Sequence, residues 1–307
     1  MAVTTSNREP PAAGLAAATL LPVVALLLGA VAMGISPIFV RFAHIGPFAS
    51  AFWRVGAALP LLWVWAVVEA RQAGEPIAAV FRIDRAILAA GLTFSADLLF
   101  WHLAILNTTV ANATFLATMA PVWVVLGSGF FIAEKVGRTV VYGLLLCMVG
   151  AAALVGTSYR LAPEHLDGDL YGIATSLFFG LYFLAVRAAR RRSGAGRIIF
   201  LSSLITAAIL FPIAFFLEDR MLPVGVGSAA ALVALAVISH TGGQGILTYA
   251  LGHLPAAFSS LVIFIEALVA ALFGWMLLGE AVTVFQAIGG ALILAGIYVA
   301  RPRRSRP

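Results

Sequence analysis

Asp97, in "TFSADLLFWHLAI", and Glu266, in "LVIFIEALVAALF", interrupt stretches that are otherwise apolar enough to lie in lipid. A carboxylate at mid-bilayer costs several kcal/mol on insertion scales, so such a group faces an interior cavity, is paired, or is protonated. Other polar residues accompany the two acids. Phe94, Asp97 and Trp101 recur at i, i+3 and i+7 and share one helix face. Thr114, Thr118 and Pro121 form a stripe, and His240, Gln244 and Thr248 recur at i, i+4 and i+8. Ser259 and Glu266 lie seven residues apart. Aromatic rings, amides, hydroxyls and acids in this pattern suit non-covalent binding of a polar solute, with an exchangeable proton as a second possibility if His240 pairs with an acid. The plainer alternative is hydrogen-bonded packing between helices. His102 falls near a helix end, as membrane-interface residues do, and Asn107 and Asn112 fit turn or cap positions.

These residues must be carried by membrane helices. The 307 residues are 62% hydrophobic and 10% charged, with a mean hydropathy of +1.05, outside the range of soluble domains. A span needs roughly 20 apolar residues, and ten such stretches occur, at about 22–41, 47–68, 86–106, 109–131, 138–157, 169–187, 198–217, 228–250, 255–278 and 281–300. Continuous runs of this length exclude a transmembrane β-barrel, whose strands alternate over ~10 residues. Asp97 and Glu266 each fall about 16 Å into their spans, at 1.5 Å per residue. The opening "MAVTTSNREPPAAG" reads as a short tail before the first span rather than a cleaved signal. Cys147 is the one cysteine, which excludes an intrachain disulfide and a Cys-based metal site. No metal or cofactor is expected.

The charge is asymmetric. Of the 19 Lys and Arg, only Arg41, Arg54, Arg160 and Arg220 fall outside the N-terminal tail, the loops on the same side of the membrane and the C-terminal tail. The positive-inside rule puts both termini in the cytoplasm. "RAARRRSGAGR" and "RPRRSRP" then anchor the topology against anionic lipid, and no nucleic-acid role is assigned to them. On this count no basic residue lies near a span centre and neither acid has a fixed counter-charge.

Sliding the chain along itself by 146 residues aligns the spans without a gap. Gly34 meets Gly180, Arg41 meets Arg187, Glu134 meets Glu280, Gly143 meets Gly289, and Gly150 meets Gly296. Five spans per half make the second half enter from the opposite side, so the expected fold is an all-α integral membrane protein of ten transmembrane helices in two inverted five-helix repeats. Residues 1–157 form the first repeat with its tail, 158–168 the connector, 169–300 the second repeat, and 301–307 a basic tail. Inverted repeats place a site near the midplane and expose it alternately to each side. Glycines and Pro37 in spans 1 and 6 permit bending. They make Gly34, Ser36, Pro37, Phe39, Phe178, Gly180 and Tyr182 candidate gate residues, close helix packing being the alternative for each glycine.

"MAPVWVVLGSGFFIAEKVGRTVVYGLLLCMVGAAALV" and "FIEALVAALFGWMLLGEAVTVFQAIGGALILAGIYV" resemble the repeat signature of the drug/metabolite transporter superfamily, and more narrowly its ten-helix EamA-type members. Pro121, Glu134, Glu266, Gly279, Glu280, Gly289, Gly290 and Gly296 carry the match, and Arg54 looks like the arginine that the family places early in its second helix. The chain departs from the pattern at Ala267, where proline is usual and whose absence should leave span 9 undistorted, and at Ala133, where glycine is usual. The resemblance implies a secondary transporter with Arg54, Pro121, Glu134 and Glu280 as structural motif residues. The substrate-contacting set is then Phe94, Asp97, Trp101, Thr114, Thr118, His240, Gln244, Ser259 and Glu266. It further implies export of small metabolites by a functional monomer in the bacterial inner membrane and leaves the substrate open; the lack of a basic residue near any span centre and the mixture of aromatics, amides and acids point to amino acids, as in YddG-type exporters. Facilitated diffusion is the first expectation and proton antiport the alternative. Against an enzyme stands the lack of HExxH, GxGD or a serine with a placed histidine. Against a channel or scramblase stands the inverted repeat within one chain.

Overall fold

The computed structural model describes residues 12–108, 110–155, 165–278 and 283–302. Glu280 lies outside the described residues, as does the side chain of Thr114. Among the described residues all regular structure is helical. Seven helices are long and apolar enough to cross a membrane, and shorter apolar helices at Phe115–Phe131, Arg138–Leu154 and Val284–Ala300 complete the ten spans.

Several spans are broken, each with a local cause. Span 1 consists of α1 (Ala12–Gly34) and α2 (Ser36–Ala43), and span 2 of α3 (Pro47–Gly56) and α4 (Leu59–Gln72). Pro37 and Pro60 sit in the first turns of α2 and α4. Proline lacks the N–H that would continue the preceding helix and crowds its last carbonyls, so each span is interrupted there. Span 3 is α5 (Arg85–Asn107), whose N-terminus is capped by Asp84 accepting from Ile87 N at 2.8 Å. Span 4 divides into α6 (Val110–Ala117) and α7 (Ala120–Phe131), with Pro121 at the start of α7. Span 5 is α8 (Arg138–Val155), span 6 α9 (Leu166–Ala189) and span 7 α10 (Ala195–Leu217).

Span 8 runs from α11 (Gly225–Ala234) through a π-helix (Leu235–Gln244) into α12 (Gly245–Ala250). Span 9 comprises α13 (Ala256–Leu261) and α14 (Phe264–Leu278), and span 10 is α15 (Val284–Ala300). The absence of proline at position 267 does not leave span 9 straight. The Ser259 and Ser260 hydroxyls bond back to the carbonyls of Pro255 and Ala257 at 3.0 and 2.9 Å. Tightened backbone bonds follow, Ile263 N to Ser260 O and Glu266 N to Ile263 O. Serine back-bonding of this kind bends helices, so the serines supply the break that proline would have made. Span 6 carries no break at Gly180. A Cβ there would meet Trp123 Cβ at 2.7 Å and Ala120 O at 3.0 Å, so this glycine serves close packing of α9 on α7.

The repeats interlock. Span 1 packs on spans 8 and 9, span 6 on spans 3 and 4, span 2 on span 7, and span 5 on span 10. The contact between spans 5 and 10 displays the inverted symmetry. A Cβ on Gly143 would meet Gly296 O at 2.5 Å, and one on Gly150 would meet Gly289 O at 2.6 Å. Each glycine thus touches the counterpart of the other, which two helices related by a two-fold axis do only when they run antiparallel. Cys147 Sγ contacts Ile293 O at 3.5 Å, and these two residues are themselves 146 apart, so the axis passes between them.

Carboxylates tie helix ends together across the repeats. Glu69, at the end of span 2, accepts from Ala195 N and Gly196 N at 2.9 and 2.8 Å, the first amides of span 7. Glu218, at the end of span 7, accepts in return from Phe48 N at 2.8 Å, at the start of span 2. Glu134, at the end of span 4, accepts from Ala256 N at 3.0 Å, at the start of span 9, and from Arg187 Nε at 2.5 Å. Arg187 also donates to Leu251 O at 2.6 Å. Each acid meets unpaired amides at the positive end of a helix dipole. Ala133, just before Glu134, has φ 52°. This left-handed conformation costs a side chain roughly 1–2 kcal/mol, which explains why the family pattern has glycine there.

Candidate functional site

A cavity of about 110 Å³ opens among spans 1, 2, 3, 4, 6, 8 and 9, lined by Met33, Gly34, Ser36, Pro37, Arg54, Phe94, Asp97, Leu98, Trp101, Ala117, Thr118, Thr175, Phe179, Gln244, Ile263, Glu266 and Ala267. The broken spans build it. Gly34, Ser36 and Pro37 lie at the interruption of span 1, and a Cβ on Gly34 would meet Val269 at 2.7 Å and Glu266 Cα at 3.1 Å. This close approach brings span 1 against the acid of span 9. Thr118 lies at the break of span 4, where its hydroxyl donates to Phe115 O at 2.7 Å. Ile263 lies at the break of span 9.

Arg54 lies inside span 2 rather than at its end. It lies seven residues into α3, about 10 Å along the helix axis, just ahead of the interruption that Pro60 enforces. Its Nη1 is 3.5 Å from Ser36 Oγ, and its Nε is shut off from solvent without a hydrogen-bond partner. Asp97 and Glu266 both lie within its electrostatic reach, yet neither forms an ion pair with it at contact distance: among the described residues the salt bridges are those of Glu134 and Glu75. The cavity wall therefore carries one guanidinium and two carboxylates, none of them paired at contact distance. The expectation that neither acid has a fixed counter-charge is corrected by this placement. It arose from counting Arg54 with the loops.

The other candidates separate into two groups. Phe94, Asp97, Trp101, Thr118, Gln244 and Glu266 converge on the cavity, as do Gly34, Ser36 and Pro37. His240 does not reach it: it is fully buried behind Phe94, stacked on that ring at 5.7 Å and 19°, with Nε2 2.7 Å from Ser203 Oγ. Ser259 is buried and bonded to its own helix. Tyr182 is buried beside Phe94 at 4.8 Å, Phe178 stacks on Phe100 at 5.4 Å, and Phe39 packs against the cluster of Ala231, Leu232 and Leu235. His102 is buried rather than at an interface, its Nδ1 2.5 Å from Leu98 O.

Met33, Leu98, Ala117, Thr175, Phe179 and Ile263 line the cavity without having been singled out in the sequence, and Ala267, noted there only as a departure from the family pattern, lines it too. The repeat offset carries the missing signal: Met33 with Phe179, Leu98 with Gln244 and Ala117 with Ile263 are each 146 apart, and both members of every pair line the wall. Phe94 and His240, stacked on one another, are also 146 apart. The pseudo-two-fold axis that passes Cys147 and Ile293 thus runs through the cavity region too.

Comparison with known proteins bears on what such a cavity serves. A family model described as "EamA-like transporter family" matches residues 20–156 and again 166–301. The chain belongs to the EamA-like transporter family. Its EamA-like relatives include an uncharacterized transporter of Archaeoglobus fulgidus, 29% identical over 90% of this chain and 94% of the relative. A second is the pseudopaline exporter CntI of Pseudomonas aeruginosa, 26% identical over 71% of this chain and 75% of the relative. A crystal structure with 22% identity superposes with a TM-score of 0.75, over 93% of this chain and 96% of that one, which establishes a shared fold. The protein is thus a multi-pass membrane transporter of the EamA-like type, and the resemblance read from the repeat signatures holds.

Proposed function

We propose that the protein exports small zwitterionic metabolites, amino acids and close relatives, by alternating access. The observation that carries this reading is the facing of Arg54 by Asp97 and Glu266 across one cavity. A guanidinium fits a substrate carboxylate, and the carboxylates fit its ammonium group. Phe94, Trp101 and Phe179 supply apolar and aromatic surface for a neutral or aromatic side chain. On one face Glu69 and Glu134 bind spans 2, 4, 6, 7 and 9 together, and on the other Glu218 binds span 7 to span 2. The charge asymmetry supports a cytoplasmic position for the Glu69 and Glu134 face and for both chain ends, in a bacterial inner membrane. A relative named as an exporter agrees with outward transport. The pathway is complete within one chain, which acts as a monomer.

Facilitated diffusion is the simplest operation. A second reading is favoured by the surplus of one carboxylate over the single guanidinium: a proton held there would leave as a cationic group arrives. Counterflow of radiolabelled amino acids in proteoliposomes, with and without an imposed pH gradient, separates the two. Flux indifferent to the gradient supports facilitation, and accumulation driven by it establishes antiport. No flux of any amino acid would remove the substrate class.

A further inference from the structure

Beside the cavity, and not explained by the charged groups, lies a cluster of buried polar atoms without partners. The Gln244 amide has neither its nitrogen nor its oxygen hydrogen-bonded, although the residue is fully buried. The same holds for the Tyr182 hydroxyl, the Ser239 hydroxyl and His240 Nδ1. Buried polar groups are nearly always satisfied, so each such orphan demands a reason.

The local backbone supplies part of it. Residues 235–244 form a π-helix, in which Thr241 Oγ1 reaches back to Ala236 O at 2.9 Å. The wider turn carries Ser239, His240 and Gln244 inward, and π-helical turns recur at functional sites. Gln244 is the member of the cluster that reaches the cavity wall. Tyr182 Oη lies against the Gln244 and Thr248 side chains and interacts with both, off full hydrogen-bond geometry, and the Phe94 ring covers both Tyr182 and His240.

We propose that Gln244, backed by Tyr182, is a specificity subsite that reads a neutral hydrogen-bonding group on the substrate side chain, of the carboxamide, hydroxyl or imidazole class. The inference rests on the amino-acid reading above, and adds to it which side chains are preferred. An amide and a phenol offer donors and acceptors together, so they match a neutral group that is itself both. Asp97, Glu266 and Arg54 are occupied by the charged ends of the substrate, which leaves the side chain to Gln244. A site built to hydrogen-bond its ligand rejects the analogue that leaves those groups unpaired far more strongly than an apolar pocket rejects an added methylene.

The test is counterflow of radiolabelled glutamine and of radiolabelled methionine, close in shape and different at the side-chain end, by wild type, Gln244→Leu and Tyr182→Phe in proteoliposomes. Wild type should favour glutamine by at least about tenfold. Gln244→Leu should erase that preference, and Tyr182→Phe, which keeps the stacked ring, should reduce it partially. The melting temperature of each variant in detergent is the folding control. Equal handling of the two amino acids by wild type, or parallel loss of both in the variants, would overturn the subsite while leaving the amino-acid reading intact. Absence of flux for either would remove the reading and the subsite together.

Discussion

The carboxylates at the helix ends and those in the cavity sit in opposite situations. Glu69, Glu134 and Glu218 each accept hydrogen bonds from amides at the start of another span, and Glu134 binds Arg187 as well. Asp97 and Glu266 accept none among the described residues, and their cation stands off across the cavity. Acids that hold a fold together saturate their oxygens within it. Acids whose oxygens remain open are arranged for something that arrives and leaves. This contrast singles out the cavity as the candidate site without reference to any relative.

The contrast can be broken at its structural side first. Glu134→Gln leaves Arg187 half-buried without its partner and weakens the cap on span 9. It should lower stability by about 3 kcal/mol, as loss of one member of a buried pair does, read as a fall in melting temperature in detergent. A double variant with Arg187→Gln should recover part of the loss. On the functional side, Arg54→Gln should reduce amino-acid counterflow by about 10- to 100-fold, the worth of a charge-assisted hydrogen bond, and Arg54→Lys should restore only part of it.

Asp97→Asn and Glu266→Gln sharpen the comparison because they should move flux and stability in different senses. Substrate affinity falls, while the melting temperature holds or rises because a buried charge without contact partners is gone. A melting temperature lowered as far as in Glu134→Gln would mean that these acids are structural after all. The smallest effect is expected at the hinge of the clamp. Ala133→Gly relieves a left-handed residue and should stabilise by about 1 kcal/mol, with transport unchanged.

Much of the fold was legible in the sequence, because span length and hydropathy follow directly from bilayer thickness and the 146-residue offset exposes the inverted repeat. The breaks were less legible. Pro37 and Pro121 announced two of them, but the break in span 9 comes from serine hydroxyls turned back on their own helix, which a pattern centred on proline overlooks. Within the site, Phe94, Asp97, Trp101, Thr118, Gln244 and Glu266 were recoverable from periodicity and polarity. Arg54 was misplaced because it lies within two turns of the predicted span start at residue 47 and counts with the helix ends on that side, although its span carries it inward to the cavity. His240 and Ser259 share a face with true lining residues, yet helix crossings turn them into protein. Spacing along one helix specifies a face, and what that face meets depends on neighbours that the spacing does not encode.

The most direct test of the account is competition, in counterflow, between the best-transported amino acid and its two trimmed analogues, the amine lacking the carboxylate and the acid lacking the ammonium group. The facing of Arg54 by Asp97 and Glu266 predicts that each analogue competes at least about tenfold more weakly than the parent, since each leaves one side of the cavity's charge unmet. An analogue that competes as well as the parent would show that the charged groups do not bind both ends of the substrate, and would contradict the central claim.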